Sequence, residues 1–257
     1  MDMIRLMKQN DFRSRSFTDL HSHILPAVDD GAIDMEMAAE MLRLQKYKGV
    51  DRLALTPHYY ALREPLENFL DRRQQAYDVL LSCWDGATMP QIKLGAEVRC
   101  TPKLTEMELH SLTIGGSNYL LLELPDRGVA PFLDQVIDSI LSQSIIPVIA
   151  HIERCEWLRN QPEQLYKLVQ MGALAQITIS SLMGRCDGFA KVCLKKGLAH
   201  IISSDAHRPG DCIDFLSSGI SSENVFWTEN FSRAIWDNTP LPAFSVASVN
   251  KGLFGYR

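Results

Sequence analysis

The chain has no Gly-x-x-x-x-Gly-Lys phosphate loop and no Gly-x-Ser-x-Gly elbow, which excludes P-loop nucleotide chemistry and the serine-hydrolase turn. Its six cysteines (Cys83, Cys100, Cys155, Cys186, Cys193 and Cys212) form no Cys-x-x-Cys pair, which argues against a zinc knuckle or a dithiol redox motif. None has an arginine six positions later, so a thiolate phosphatase loop is absent as well. They read as reduced thiols in or near the core. Long apolar runs are missing: the longest, Ile145 to Ala150, falls far short of a bilayer span. Positive charge is scarce too. Lys and Arg total 26 against 31 Asp and Glu, a net charge of −5 that offers no global basic surface to a nucleic acid. The N-terminus carries Asp2 and polar residues without a hydrophobic secretory region. The expectation is a cytoplasmic protein with no membrane insertion and no nucleic-acid partner.

What is present suits one large α/β domain: 257 residues with 46% hydrophobic content. Residues 1–16 are mixed and polar and read as an N-terminal extension, with the domain proper over 17–257. Strands are expected at Phe17 to His23, Arg52 to Leu55, Gln91 to Val98, Tyr119 to Leu122, Ile146 to Ala150, Ala173 to Ile179 and Ala199 to Ser203. Between them, Asp34 can cap a helix that runs to Lys48 with Met37, Met41, Leu44 and Tyr47 as its apolar stripe. Further helices are expected over Pro65 to Trp84, Pro131 to Gln143, Pro162 to Met171 and Gly188 to Lys196, with Trp227 and Trp236 on later helical segments. Regular strand–helix alternation implies a parallel sheet with right-handed crossovers, either open or closed into a barrel.

The placement of polar residues favours the barrel. His21, His23, His58, Glu97, Glu123, His151, Asp205 and His207 all fall at or just past the C-terminal ends of the expected strands. In a barrel those ends converge on one mouth; in an open sheet they would be strung along an edge. Taken singly each has a bland explanation, such as a solvated carboxylate or a turn histidine. Five of the seven histidines nevertheless fit the pattern, while His110 reads as a surface residue and His200 as a packed or locally hydrogen-bonded one. His21 and His23 project from one face of a strand, and the following loop adds Asp29 and Asp30. Mixed His/Asp/Glu ligation without thiolate suits manganese, iron or zinc, in two or three ions with a bridging carboxylate. With no protein nucleophile in view, metal-bound hydroxide is the natural attacking group.

The run His-Ser-His-Ile-Leu-Pro-Ala-Val-Asp-Asp-Gly at 21–31 resembles the opening of the bacterial capsule-associated protein-tyrosine phosphatases (CpsB/YwqE type), within the polymerase and histidinol phosphatase (PHP) superfamily. Thr56-Pro57-His58, Gly95-Ala96-Glu97, Glu123-Leu124-Pro125, His151-Ile152-Glu153-Arg154 and Ser204-Asp205-Ala206-His207 resemble it in the same order. The resemblance implies a distorted (β/α)7 TIM-like barrel, the PHP fold, as a single domain holding three metals, manganese foremost with iron or zinc as alternatives. It implies His21, His23, Glu97 and Asp205 on the first ion, and Glu97, Glu123 and His151 on the second. It implies Asp30, His58 and His207 on the third, with Arg154 on the phosphate. The chain departs from the family in the residues that precede Phe17 and in Arg208, which stands where the family tends to have asparagine. Arg208 is the candidate to replace the family's second catalytic arginine. The implied activity is hydrolysis of phosphotyrosine on a protein, with an autophosphorylating tyrosine kinase of polysaccharide export as the implied partner. The alternatives are a phosphatase of small esters, such as histidinol phosphate or nucleotides, and a non-catalytic metal-holding regulatory module.

Overall fold

Nine strands, every ladder between them parallel, form two sheets in the computed structural model, which describes residues 16–82, 89–183, 188–212 and 220–242. Strands β1 (Phe17–Asp19), β2 (Val50–Leu55) and β4 (Gln91–Leu94) form the first, in the order β1-β2-β4. The second holds β3 (His58–Tyr59), β5 (Glu97–Arg99), β6 (Tyr119–Glu123), β7 (Ile146–Ile149), β8 (Leu174–Thr178) and β9 (Ile201–Ser203) in chain order. The expected N-terminal extension lies, Ser16 apart, outside the described residues, as do Cys83, Trp84, Cys186 and the tail from 243.

The single strand expected over Gln91 to Val98 is two strands, β4 and β5. The break at Gly95-Ala96 is matched one strand over by the break at Thr56-Pro57 between β2 and β3. Pro57 has no N–H to give a ladder, while the Thr56 N–H donates to Ser22 O (2.9 Å) and the Gly95 N–H to Leu55 O (2.9 Å). The chain therefore changes sheet twice at the same level, and each step delivers a candidate ligand, His58 or Glu97, as the first residue of the next strand. The two sheets also meet beyond β9 and β1, through a bridge between Ser22 and Ala206 and the bonds Asp205 N–H to His21 O and His23 N–H to Ala206 O, both 2.9 Å. The ladders remain two, joined by this bridge.

Helices α1 (Met35–Tyr47), α2 (Leu66–Ser82), α3 (Leu133–Ser142), α4 (Glu156–Asn160), α5 (Pro162–Gln170), α6 (Gly188–Lys195) and α7 (Ser222–Asp237) fill the connections. Asp34 caps α1 as expected, its Oδ1 accepting from the Met37 N–H at 2.9 Å. Of the expected stripe on α1, Met41 is buried and Met37 and Leu44 pack against the core. The fully buried face is nevertheless centred one position along, away from Tyr47. It is Ala38, Met41, Leu42 and Gln45, and Tyr47 is 87% exposed. Gln45 turns inward because its Nε2 donates to Asp19 Oδ2 and Ser204 Oγ, both at 3.1 Å, a polar requirement that hydropathy does not record.

Both faces of β6 are buried, which explains its unbroken apolar run. Leu120 and Leu122 join the large cluster under the helices. Tyr119 and Leu121 join a second cluster that α7 covers with Phe231, Ile235 and Trp236. Cys100, Cys155 and Cys212 are buried free thiols, and Cys193 is buried as well. Among the described residues no helix is long and apolar enough to cross a membrane.

Candidate metal centre

The ends of these strands meet at one place. His21 and His23, fully buried just past β1, turn their Nε2 atoms to 3.1 Å from each other. Both face Glu97 Oε2 (3.2 and 3.3 Å) and Asp205 Oδ1 (3.1 and 3.2 Å). His58 Nδ1 lies 3.0 Å from the same Glu97 oxygen, and the other, Oε1, lies 2.7 Å from His151 Nε2. Asp30 Oδ1 stands 3.5 Å from His58 Nε2 and 3.6 Å from His207 Nε2. Three groups of potential ligands result: His21, His23, Glu97 and Asp205; His23, Asp30, His58 and His207; and His58, Glu97 and Glu123. The first is the set expected for the first ion. The second adds His23 to the expected trio. The third holds His58 where His151 was expected, with His151 on Glu97 from the other side. His151 (φ 27°) and Asp205 (φ 53°) both have left-handed backbone, a costly conformation for such residues and one that clusters at functional sites.

The histidines are oriented from behind. Gln176 Oε1 accepts the His151 backbone N–H (2.8 Å), which identifies it as the oxygen, and it lies 3.2 Å from His21 Nδ1. His23 Nδ1 meets Asp29 Oδ2 at 2.7 Å, and His207 Nδ1 meets the Asp205 carbonyl oxygen at 3.0 Å. All three partners only accept, so each Nδ1 carries the proton and each Nε2 lone pair points into the cluster. Burial would raise the Asp29 carboxyl. The hydrogen bond and charge of His23, with the N–H groups of Gly31 and His58, outweigh burial and hold it at about 2.

Burial would also lower the pKa of His21 and of His23, but the carboxylates of Glu97 and Asp205 raise both. Glu97 is driven the other way: burial alone would raise it, and the surrounding histidines hold it well below the usual range. Glu123 is raised by burial and by Glu97, with Arg99 opposing from 2.8 Å across the β5–β6 pair. This is a concentration of buried negative charge that needs cations. Glu97 Oε2, Glu123 Oε2, Asp205 Oδ1, His58 Nδ1 and His151 Nδ1 are buried without a hydrogen-bond partner. Orphaned oxygen and nitrogen donors aimed at common points fit divalent metal ions.

Arg154 and Arg208 border a cavity of about 320 Å³ together with Asp30, Ser180, Asp205 and His207. The guanidinium of Arg154 pairs with Asp205 Oδ2 while remaining about half exposed. Its near neighbour Glu153 is taken by Thr178, whose N–H and Oγ1 bond Glu153 Oε1 at 3.0 and 2.6 Å. Arg208 is exposed, its backbone N–H held by Asp211 Oδ2 at 3.0 Å. His200 and His110 stay outside the centre: His200 is buried with Nδ1 accepting the Ala175 N–H at 3.1 Å, and His110 is exposed on a short turn of helix. Burial pushes the thiols of Cys100, Cys155 and Cys212 up to about 12, far from thiolate chemistry. Sequence reading missed Gln176, Asp29 as an orienting group, and Arg99.

Known proteins resemble this chain in sequence and in fold. A sequence model described as capsular polysaccharide synthesis, CpsB/CapC, matches residues 17–219. The tyrosine-protein phosphatase YwqE of Bacillus subtilis (strain 168) is 34% identical over 202 residues, 74% of this chain and 76% of that protein. The putative tyrosine-protein phosphatase CapC of Staphylococcus aureus is 32% identical, covering 74% and 76%. The tyrosine-protein phosphatase CpsB of Streptococcus pneumoniae is 31% identical, covering 74% and 82%. A crystal structure from work on YwqE and CpsB, described there as unique metal-dependent tyrosine phosphatases, superposes with a TM-score of 0.72 at 28% identity. That match covers 87% of this chain and 96% of the other. By its sequence and its α/β architecture of parallel sheets, the chain belongs to the CpsB/CapC family of capsular polysaccharide synthesis.

Proposed function

We propose that this chain is a metal-dependent protein-tyrosine phosphatase. The observation that carries the reading is the buried set His21, His23, Glu97 and Asp205 beneath a cavity bordered by two arginines. His21, His23, Asp30, His58, Glu97, Glu123, His151, Asp205 and His207 would hold two to three divalent ions, manganese first among them, and Glu97 belongs to two of the candidate groups. Divalent ions held there would supply Lewis acidity toward a water and the phosphoryl group. The chain's own residues do the rest. Gln176, Asp29 and the Asp205 carbonyl keep three imidazoles in the tautomer that faces inward. Arg154 leaves Asp205 to hold equatorial phosphoryl oxygens, and Arg208 assists from the neighbouring loop. Tyrosine, with a pKa of about 10, leaves without a strong general acid.

The reading extends to architecture and setting. Counting β2 with β3 and β4 with β5, the strands amount to seven staves, and the Ser22–Ala206 bridge supports a distorted (β/α)7 barrel of PHP type over residues 17–257. The substrate would be a cytoplasmic phosphotyrosyl protein, an autophosphorylating tyrosine kinase of polysaccharide export. Turnover of a phosphotyrosyl peptide and of histidinol phosphate, before and after chelation and with Mn²⁺ restored, tests it. Metal-restored activity on the peptide is expected, and Glu97→Ala should lose both bound metal and turnover. Full activity in metal-free protein, or preference for histidinol phosphate, would defeat the reading.

A further inference from the structure

A second cavity, of about 360 Å³, opens beside the ligand cluster, lined by Tyr60, Leu62, Arg63, Arg99 and Thr101. The cavity of Arg154 and Arg208 belongs to the loops after β7 and β9; this one belongs to the loop after β3 and the end of β5. Tyr60 joins it to the metal centre, its ring stacked on His58 at 5.4 Å and 27°. The loop is fixed in place: the Arg63 N–H donates to Tyr60 O at 2.8 Å, and Lys103 Nζ to Ala61 O at 3.0 Å.

The lining is cationic. Arg63 lies over the Tyr60 ring, 4.4 Å from its centroid, and makes no ion pair among the described residues. Its neighbour Glu64 is engaged by Arg72 at 2.6 Å and does not neutralise it. Arg99 spends one nitrogen on Glu123 and keeps the remainder of its fork. Thr101 Oγ1 is buried with no hydrogen-bond partner, and Leu62, 70% exposed, stands at the rim. Among the described residues no carboxylate lines the cavity. In a chain of net charge −5, two guanidinium groups lining one space make a local anion site.

We propose that this cavity is a subsite for an anionic side chain close in sequence to the phosphotyrosine, a carboxylate or a second phosphorylated tyrosine. The proposal rests on the phosphatase reading above and adds to it a substrate class. A small ester fills only the first cavity, whereas a peptide lying across the mouth reaches both. The rim residue Leu62 and the Tyr60 ring suit the stem that would carry the charge.

The test uses three phosphotyrosyl peptides that differ at the flanking position: Ala, Glu or a second phosphotyrosine. Wild-type kcat/KM should favour the Glu peptide over the Ala peptide roughly tenfold, as one charge-assisted contact gives. In Arg63→Gln the ratio should fall to about 1, and in Arg63→Lys it should partly return. A gain confined to the doubly phosphorylated peptide would assign the anion as phosphate; equal gains would leave charge as the only criterion. Affinities of matching non-hydrolysable phosphonate peptides should show the same order. No turnover of any peptide would defeat the phosphatase reading, and the phosphonate affinities would then decide the subsite alone. Equal affinity for all three phosphonates, or a preference that survives Arg63→Gln, overturns the subsite.

Discussion

Gln176 Oε1 stands 3.2 Å from His21 Nδ1 and accepts the backbone N–H of His151 at 2.8 Å, so one carboxamide on β8 orders candidate ligands from two other strand ends. It lies fully buried, 155 residues from His21 in sequence. Gln176→Leu keeps the volume and removes the acceptor. The buried His151 N–H then loses its partner, costing about 1–3 kcal/mol, and His21 loses what fixes its tautomer. Metal affinity should fall roughly 10–100-fold, the effect typical of removing a group that orients a ligand. Calorimetric metal titration beside denaturant unfolding measures both, and undiminished affinity would remove Gln176 from the site.

Gly31 closes the loop that follows the two histidines. A Cβ there would fall 1.9 Å from His23 O and 2.6 Å from His23 Cβ. The Gly31 N–H also holds Asp29 Oδ1 at 3.0 Å, and the Ala32 N–H bonds His23 O at 3.0 Å. Gly31→Ala should therefore displace His23 or the loop, costing about 1–3 kcal/mol as overpacking does. Melting temperature and bound metal should drop together. A stable variant with full metal content would refute the steric argument.

How much of this was legible in the sequence follows from range. His21 and His23 turn the same way because they lie two residues apart in the segment just past β1, and Asp34 caps α1 by a contact three residues away. The strand ends were readable because each ligand follows its own apolar run. What escaped depends on distant partners. Gln45 is buried by Asp19 and Ser204, which rotates the inner face of α1 away from Tyr47. The split between β4 and β5 reflects the step at Pro57 on another strand, and Arg99 is placed by its register with Glu123 on β6. The grouping of ligands follows from three-dimensional convergence, so His58 meets Glu97 and Glu123 in a way that order along the chain does not dictate.

His200 gives a pH prediction independent of metal. It is fully buried, its Nδ1 accepts the Ala175 N–H at 3.1 Å, its ring meets Phe231 edge-on at 5.3 Å, and burial lowers its pKa to about 4. The unfolded chain binds the proton near pH 6.5 and the folded chain does not, so this group makes stability fall as pH drops from about 6.5 to 4. Between pH 7 and pH 5 the loss amounts to about 2 kcal/mol. His200→Asn keeps an acceptor and removes the titration. Denaturant unfolding of both proteins at the two pH values should show a smaller acid loss in the variant, and parallel losses would disprove the assignment.

Arg154 presents the sharpest conflict of roles. Its guanidinium pairs with Asp205, itself a candidate ligand, yet it sits half exposed at the cavity it shares with Arg208. If the pair were structural, Arg154→Met would strip a partner from a buried carboxylate and lower stability in the metal-free protein. Once a divalent ion neutralises Asp205, the pair loses most of its value and the arginine is released toward the phosphate, whose equatorial charge is redistributed in the transition state. The loaded Arg154→Met protein should then match wild type in bound metal and melting temperature while kcat falls roughly 10²–10³-fold. Arg208→Met should lose activity in the same way if its side chain serves the second arginine's role, and little otherwise. Elemental analysis, melting curves with and without Mn²⁺, and steady-state kinetics on a phosphotyrosyl peptide separate the cases. A loaded Arg154→Met protein that turned over the peptide at the wild-type rate would leave Arg154 as Asp205's partner alone.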